Sequence, residues 1–372
     1  MKHVVFAQLK LSFGGGERVL IEQVAALASL PVRVSVLFRK EPDHRDIEPE
    51  LRERNPNIQE VLHLPGPVGA FRWLCTRKPD LLVISNHKGV VGALPWLART
   101  GFRLPTMVTL HEHYRHHLGK YRGIRNLVDL WIVTWAFEDM VRKYLGPQPC
   151  CQIHPLYPRA EVLPASPSDR RAARRSLGLP DEGLVVGYVG QIDARKDPVK
   201  TLELAECLDR RSSRPLHLLL AGRIDRASEA RLREALAHSP LGSRTTLTGP
   251  MVDIRPAFAA LDLYLMTSHN EGFFPLALIE ALECGVPLMV PAIGGIPTVL
   301  REGDGGFLIH KPDDRRAISR PALEAAVEQM IPFLEDPAAW SLQRERAAAL
   351  GAGLTGGYDA AGRFREVVAN WI

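Results

Sequence analysis

Cysteine is scarce and scattered in this 372-residue sequence. Cys75, Cys150, Cys151, Cys207 and Cys284 form no CxxC pair and no zinc-like cluster with histidine, so a zinc ribbon or thioredoxin-like redox centre is excluded and reduced core thiols are expected. Long apolar runs are missing too. No stretch approaches the roughly 18 uncharged apolar residues that a spanning helix requires. The opening "MKHVVFAQLKLSFGGG" lacks the apolar segment and small-residue cleavage site of a signal peptide, which predicts a cytoplasmic protein. Neither a GxGxxG fingerprint nor a P-loop lysine is present, which makes a hydride-transferring dehydrogenase a weak candidate. Internal repeats and low-complexity tracts are also lacking.

What is present is ordinary globular material, 46% hydrophobic and 24% charged, enough for real cores. The length predicts two domains. The net charge of +5 is unevenly spread: residues 1–150 hold 21 Lys and Arg against 14 Asp and Glu, and the remainder 26 against 28. The basic first half is therefore the one expected to meet an anionic surface or acceptor.

Short β-branched runs alternate with helical patterns. "HVVFAQL", "RVSVLF", "LLVIS", "TMVTL" and "LWIVT" read as strands in the first half, and "LVVGYVG", "LHLLLAG", "TTLTG", "LYLMT" and "PLMVP" in the second. Apolar runs of strand length separated by helices predict parallel sheets buried on both faces. Residues 145–169, "LGPQPCCQIHPLYPRAEVLPASPSD", contain six prolines and predict an extended connector with a hinge near residues 150–160. A helix "SDRRAARRSLGL" capped by Ser168 opens the second unit. The expected domains are 1–155, joined by a C-terminal helix over 356–372, and 156–355. In that last helix Phe364, Val367, Val368 and Trp371 form an apolar stripe that needs a partner surface.

Four stretches carry candidate chemistry. "SFGGGERVLIEQVAALA", residues 12–28, sets three glycines after the first strand and before a helix starting near Glu17; such a loop admits an anion to the helix N-terminus, or is simply a tight turn. "LHEHYRHHLGKYRGIR", residues 110–125, gathers His111, His113, His116 and His117 beside Arg115, Lys120, Arg122 and Arg125. His111 directly follows a strand, and carboxyl strand ends face the ligand in open α/β sheets. A substrate contact there outweighs a zinc site, for which a matching carboxylate set is missing; the arginines are a solvated face or a contact for phosphates and lipid headgroups. "YVGQIDARKDPVKTLELAECL", residues 188–208, repeats strand, glycine and helix with Arg195, Lys196 and Lys200 near the helix start, where a lysine can neutralise a phosphate or is simply a flexible surface side chain. "LHLLLAGRIDRASEARLREAL" places Gly222 after the next strand, suited to a ribose or base lying against backbone. Lastly, "HNEGFFPLALIEALECGVPLMV", residues 269–290, puts Glu271 in a strand-to-helix loop and Glu280 about two turns further on, in a helix that stops at Gly285. A carboxylate accepts two hydrogen bonds from vicinal hydroxyls, the pattern a ribose or hexose presents.

In this order "GGGERVLIEQVAALA", "GYVGQIDARKDPVKTLELA", "LTGPMVDIRPAFAALDLYLMTSHNEGFFPLALIEALECGVPLMVPAIGGIPTVLREGDGGFLI" and the tail resemble retaining glycosyltransferases of family 4, which have the GT-B fold. The match spans nearly the whole chain and is densest over residues 183–310. The resemblance implies an α/β protein of two Rossmann-like domains facing across a cleft, the nucleotide-sugar donor on the second, the acceptor on the first, and a final helix crossing back. It implies no metal and no cofactor. It makes His111, Glu271 and Lys196 the catalytic set. The implied donor set is Gly15, Gly16, Gly190, Gln191, Arg195, Lys196, Gly222, Arg223, Glu271, Gly272, Phe273, Phe274 and Glu280, with Glu280 on the ribose, Glu271 on the transferred sugar and Lys196 on the diphosphate. Two features depart from the family pattern. Eight residues separate Glu271 from Glu280 where the family has seven, which enlarges the "GFFP" loop. Gln191 stands where the family has an arginine, a charge that Arg195 or Arg223 would have to supply.

The expected reaction is transfer of a hexosyl group, from a UDP-sugar by preference, to a hydroxyl of a glycan or lipid-linked acceptor with retention of configuration. Without a metal, Lys196, helix N-termini and Arg195 would stabilise the leaving charge, and His111 would position sugar and acceptor. A nucleotide-sugar epimerase of the same fold and a non-catalytic sugar-nucleotide-binding subunit are the alternatives. Peripheral contact with an anionic inner membrane face is expected of the basic half, and nucleic acid is not an expected partner.

Overall fold

A computed structural model describes residues 1–9, 11, 15–40, 47–110, 118–154, 165–271, 274–311, 317–356 and 358–372, excepting the side chains of Trp135 and Ala136. The chain divides into two compact units, one of Met1–Tyr157 with Asp359–Ile372 and the other of Pro158–Tyr358.

In the first unit, β1 (Lys2–Gln8), β2 (Val32–Phe38), β3 (Ile58–His63), β4 (Leu81–Ser85), β5 (Thr106–Thr109), β6 (Leu130–Val133) and β7 (Cys150–Gln152) form one sheet in the order β3-β2-β1-β4-β5-β6-β7. Every pairing is parallel. Val4, Val5 and Phe6 on central β1 are almost wholly buried, because helices cover both faces of a sheet whose strands all run one way. The chain travels outward from β1 to β3 and then returns to place β4 on the other side of β1. That reversal is the topological switch point, where ligands of open α/β sheets bind. Helix Ala360–Ala369 packs on helix Gly15–Ala26, and the Phe364 ring lies 6.1 Å from that of Phe6. Phe364 and Val368 are fully buried, worth about 2 kcal/mol each, which is what holds the chain terminus to the first unit.

The second unit repeats the plan. Strands β8 (Leu184–Val189), β9 (Leu216–Ala221), β10 (Thr245–Gly249), β11 (Leu263–Leu265), β12 (Leu288–Pro291) and β13 (Gly306–Ile309) form a parallel sheet in the order β10-β9-β8-β11-β12-β13. Its switch point lies between β8 and β11. Among the described residues no helix is long and apolar enough to cross a membrane.

Several local expectations change. Ser166, not Ser168, caps the helix Pro167–Ser176: its side chain accepts from the Asp169 N–H and Asp169 reaches back to the Ser166 N–H. This reciprocal box fixes the start one residue before a proline that needs no partner for its missing N–H. The glycine-loop helix begins at Gly15, two residues before Glu17. Strands β3, β7 and β13 carry no strong sequence signal. β3 and β7 are edge strands with mostly half-exposed residues, so no apolar run marks them, and β7 sits inside the proline-rich connector. β13 is only four residues long and begins at the second of two glycines, Gly305 and Gly306.

Candidate functional site

The loops after β8, β9 and β10 are joined by backbone bonds at the carboxyl edge of the second sheet. The Gly190 N–H donates to Ala221 O (2.9 Å) and the Gly222 N–H to Gly249 O (3.0 Å). The parallel register that ends at Val189 and Ala221 brings the two glycines side by side. Gly222 has φ +133°, and a Cβ there would lie 2.0 Å from Gly190 O, so no other residue fits. Gly190 has φ +147°, and its Cβ would meet the Tyr188 hydroxyl at 2.9 Å. The glycines thus bring backbone, unscreened by side chains, to the switch point.

Beyond β8 the chain turns on Asp193, whose Oδ1 accepts from the N–H groups of Arg195 (3.0 Å) and Lys196 (3.1 Å). The turn directs both cations at Glu271, which follows β11. Lys196 Nζ donates to Glu271 Oε1, and Arg195 Nη1 lies 3.4 Å from Oε2. Lys196 and Glu271 are only 9% and 6% exposed, so each would be costly to bury alone. Burial pulls the Lys196 ammonium below its ordinary range, while Glu271 opposes that shift. Two cations facing one carboxylate leave the triad net positive.

The triad is braced from behind. Thr267 Oγ1 donates to Asp197 O (3.0 Å) and is 2.7 Å from Thr201 Oγ1. The His269 N–H donates to Arg195 O (2.9 Å), its Nε2 lies 3.0 Å from Asp197 Oδ2, and Lys311 Nζ donates to His269 O (3.1 Å). Buried Tyr188 donates to Gln191 O (3.1 Å) and Tyr264 to Val189 O (3.0 Å). Burial raises both hydroxyls, with Glu271 adding to each and Glu280 adding at Tyr264. They stay protonated donors, and both glutamates act on the one Tyr264 hydroxyl.

The helices that follow β8, β9 and β11 start at this edge, and their caps differ. Asp197 caps Pro198–Asp209 and Asp225 caps Arg226–Ala237, each accepting backbone N–H groups. Helix Leu276–Glu283 begins after Pro275 with no side-chain cap. Its first-turn N–H groups and positive dipole end are the ones suited to an external anion. Glu280 is the fifth residue of that helix, half-buried, between buried Ile279 and Ala281.

Of the residues singled out in the sequence, Gly190, Arg195, Lys196, Gly222, Glu271 and Glu280 thus collect at one sheet edge. Gln191 and Arg223 are exposed on the adjoining loops, Phe274 is buried at 3% exposure, and Gly272 and Phe273 lie outside the described residues. Gly15 and Gly16 belong to the other unit, where Gln8 Nε2 donates to Gly16 O (3.3 Å) beside the β1 end. His111, His113, Arg115, His116 and His117 also lie outside the described residues.

Sequence reasoning passed over Asp193, Asp197 and His269, although "DARKD" does bracket the two cations with acids. Lys311 arrives from the end of β13 and carries no local signal. In the first unit it passed over Asn86 and His87, which follow β4 at the switch point. Asn86 has φ +62° and its Oδ1 accepts from Lys120 Nζ, while His87 Nδ1 accepts from the Val90 N–H (3.1 Å). Among the described residues no group of three His, Cys, Asp or Glu side chains could hold a metal ion.

Comparison with known proteins points the same way for both units. Residues 169–339 match the family model described as Glycosyl transferases group 1, and residues 13–143 the model Glycosyltransferase Family 4. A D-inositol 3-phosphate glycosyltransferase of Rhodococcus opacus is 28% identical over 287 residues, 69% of this chain and 64% of that protein. One from Mycobacterium tuberculosis is 28% identical over 266 residues, 65% of this chain and 53% of that protein. The chain therefore spans less than two thirds of the length of these relatives. Among solved structures, Anabaena HepE in complex with UDP-glucose superimposes with TM-score 0.78 at 19% identity, covering 100% of both chains. Sucrose-phosphate synthase from Thermosynechococcus elongatus superimposes with TM-score 0.77 at 20% identity, covering 100% of this chain and 99% of that one. The chain has the GT-B fold and is related to the glycosyltransferases of that fold.

Proposed function

We propose that the chain is a retaining hexosyltransferase of family 4 that uses a nucleoside diphosphate sugar, by preference a UDP-sugar, and a hydroxyl of a glycan or lipid-linked acceptor. The observation that carries this reading is the convergence of Lys196 and Arg195 on Glu271 at the β8–β11 switch point, beside the uncapped start of helix Leu276–Glu283. A diphosphate brings negative charge to that net positive triad and to the helix start. Glu280 would take the ribose hydroxyls and Glu271 those of the hexose, while Gly190 and Gly222 let the nucleotide lie against backbone. The unit Pro158–Tyr358 would thus hold the donor, and the unit Met1–Tyr157 with the last helix the acceptor, with His111 positioning sugar and acceptor.

In the reaction the bond from anomeric carbon to phosphate oxygen breaks as the acceptor oxygen bonds to the same face, and the departing phosphate takes the acceptor proton. Lys196 and Arg195 stabilise the charge gathering on that phosphate, which is worth most in a site shielded from water. Arg195 also supplies the charge that an arginine at the Gln191 position would give. Neither a metal nor a cofactor is assigned.

Incubation with UDP-, GDP- and ADP-sugars, with and without a panel of acceptors, tests the proposal. Nucleotide release that requires acceptor and gives an α-linked product is the expected result. An isomerised free sugar would point to an epimerase, and binding without turnover to a non-catalytic subunit.

The protein would work in the cytoplasm, with peripheral contact at an anionic inner membrane face. Arg122 and Arg125, exposed on the 3-10 segment Gly119–Leu127 of the basic first unit, support this. Flotation with anionic vesicles should be lost at high salt, and flotation indifferent to salt or lipid charge would count against it.

A further inference from the structure

The amino edge of the second sheet, opposite the carboxyl edge just described, carries a separate concentration of positive charge. Asp262, immediately before β11, accepts from Arg170 Nη2, from Arg174 Nη2 (2.6 Å) and from the Val185 N–H (2.8 Å). Arg344, from helix Pro337–Thr355, joins them with Nη1 3.4 Å from Leu261 O. Two guanidinium groups therefore share one carboxylate, and a third binds the neighbouring Leu261 carbonyl. Burial, with Arg170 and Arg174 adding and Asp262 opposing, draws Arg344 down to about 10.

Arg344 also lines a cavity of about 290 Å³ together with Arg214, Leu334, Pro337 and Trp340. That is close to the lower end of the roughly 300–1,000 Å³ range of small-molecule pockets. Its lining combines apolar and aromatic side chains with two guanidinium groups. Glu335 lies at the same cavity, but its carboxylate is turned to Ser212 Oγ (3.0 Å), the Ser213 N–H (3.2 Å) and Ser213 Oγ. These donors, with Arg214 adding, hold its carboxyl below the ordinary range; Arg214 Nη2 donates to Leu334 O (3.3 Å) and Arg344 Nη1 to Leu261 O, and each guanidinium has further N–H groups to offer. Trp340, 7% exposed, keeps an indole N–H that is buried and has no hydrogen-bond partner among the described residues. Strand β9, which follows Arg214, has six residues, so about 20 Å of strand separates Arg214 from the carboxyl edge of the sheet.

We propose that this pocket binds a small organic oxyanion, with its charged group between Arg214 and Arg344 and its apolar body against Trp340, Leu334 and Pro337. It is a second ligand site on the unit Pro158–Tyr358 that does not depend on how the carboxyl edge is used. A phosphate monoester and a carboxylate share the required chemistry, and affinity distinguishes them.

The test is titration of the full chain with phenyl phosphate, benzoate and inorganic phosphate, read by calorimetry and by tryptophan fluorescence, in the presence of saturating UDP. Phenyl phosphate or benzoate should bind and inorganic phosphate more weakly, because it lacks the apolar body. Arg214→Gln should weaken binding roughly tenfold or more, Ser341→Trp should fill the cavity and abolish it, and Trp340→Phe should remove the fluorescence change. Lys196→Ala should leave it intact, which separates this site from the donor site even if UDP does not bind. No binding at millimolar probe, binding unchanged in both Arg214→Gln and Ser341→Trp, or binding lost in Lys196→Ala would each overturn the proposal. Arg214 and Ser341 are preferred over Arg344, whose loss would disturb the cluster around Asp262.

Discussion

Lys196 and Glu271, 75 residues apart, form a buried ion pair that joins the loop after β8 to the loop after β11. The pair spans the two strands that meet at the switch point, so it sits where a ligand of this sheet must arrive. Removing either partner strands the other in a poorly solvated place. Glu271→Gln should therefore destabilise the protein by about 3 kcal/mol, read as a lower urea midpoint with an unchanged slope. On the proposed reading Lys196→Ala removes the cation that would face the leaving phosphate and should lower kcat/KM by roughly 10²–10³-fold. An unchanged kcat/KM would remove Lys196 from the chemistry.

Glycine substitutions separate backbone geometry from ligand contact. Gly222→Ala forces a Cβ to 2.0 Å from Gly190 O and should cost several kcal/mol, on the order of the strain and overpacking penalties known for cores. At Gly15, in the first turn of its helix, a Cβ would meet nothing within 4 Å among the described residues. Gly15→Ala should leave stability unchanged or raise it by about 0.5–1 kcal/mol. If a ligand approaches that turn, activity falls while the melting temperature holds. A melting temperature that drops with Gly15→Ala instead would contradict the open space described.

Acid should unfold the first unit through its histidines. Burial holds His3, His87 and His154 down to about 4, against 6.5 for the free side chain. Between those values the unfolded chain binds protons that the folded chain refuses, so stability falls as pH drops from 6.5 through 4. His87 alone, fully buried with Nδ1 accepting the Val90 N–H, should contribute a loss of about 3 kcal/mol across that window. Urea titrations at pH 7 and pH 5 should show it, and His87→Asn, which keeps an acceptor for the helix start, should flatten the slope. An equal pH slope in that variant would place the titration elsewhere.

Removing the acid at the opposite edge gives an independent check on the second unit. Asp262→Asn removes the carboxylate that Arg170 and Arg174 share and should cost about 3–5 kcal/mol, with UDP affinity unchanged. Thermal unfolding and UDP titration on the same variant measure both halves of that expectation.

The fold was legible where burial on both faces writes an unbroken apolar run, as in β1, β4, β8 and β9. It was not legible where strands lie at sheet edges, because residues such as Glu60 in β3 and Gln152 in β7 face water and interrupt the pattern. Candidate site residues were found where a glycine or a charge follows a strand, as with Gly190, Gly222 and Glu271. Lys311 and the cluster of Arg170, Arg174, Asp262 and Arg344 escaped because their partners are 42 to 92 residues away. The helix box of Ser166 and Asp169 was readable in principle, since "SPSD" offers two serines, and the proline after the first one decides between them.

The central claim is that a nucleoside diphosphate sits at the β8–β11 edge with its phosphates at Lys196 and its ribose at Glu280. Calorimetric titration of the wild-type protein, Lys196→Ala and Glu280→Gln with UDP and with 2′,3′-dideoxy-UDP tests it most directly. The account predicts that Lys196→Ala weakens both ligands roughly tenfold or more, while Glu280→Gln weakens UDP and leaves the dideoxy ligand unaffected. Equal affinities for UDP across all three proteins, or a wild-type chain that binds no nucleoside diphosphate, would contradict it.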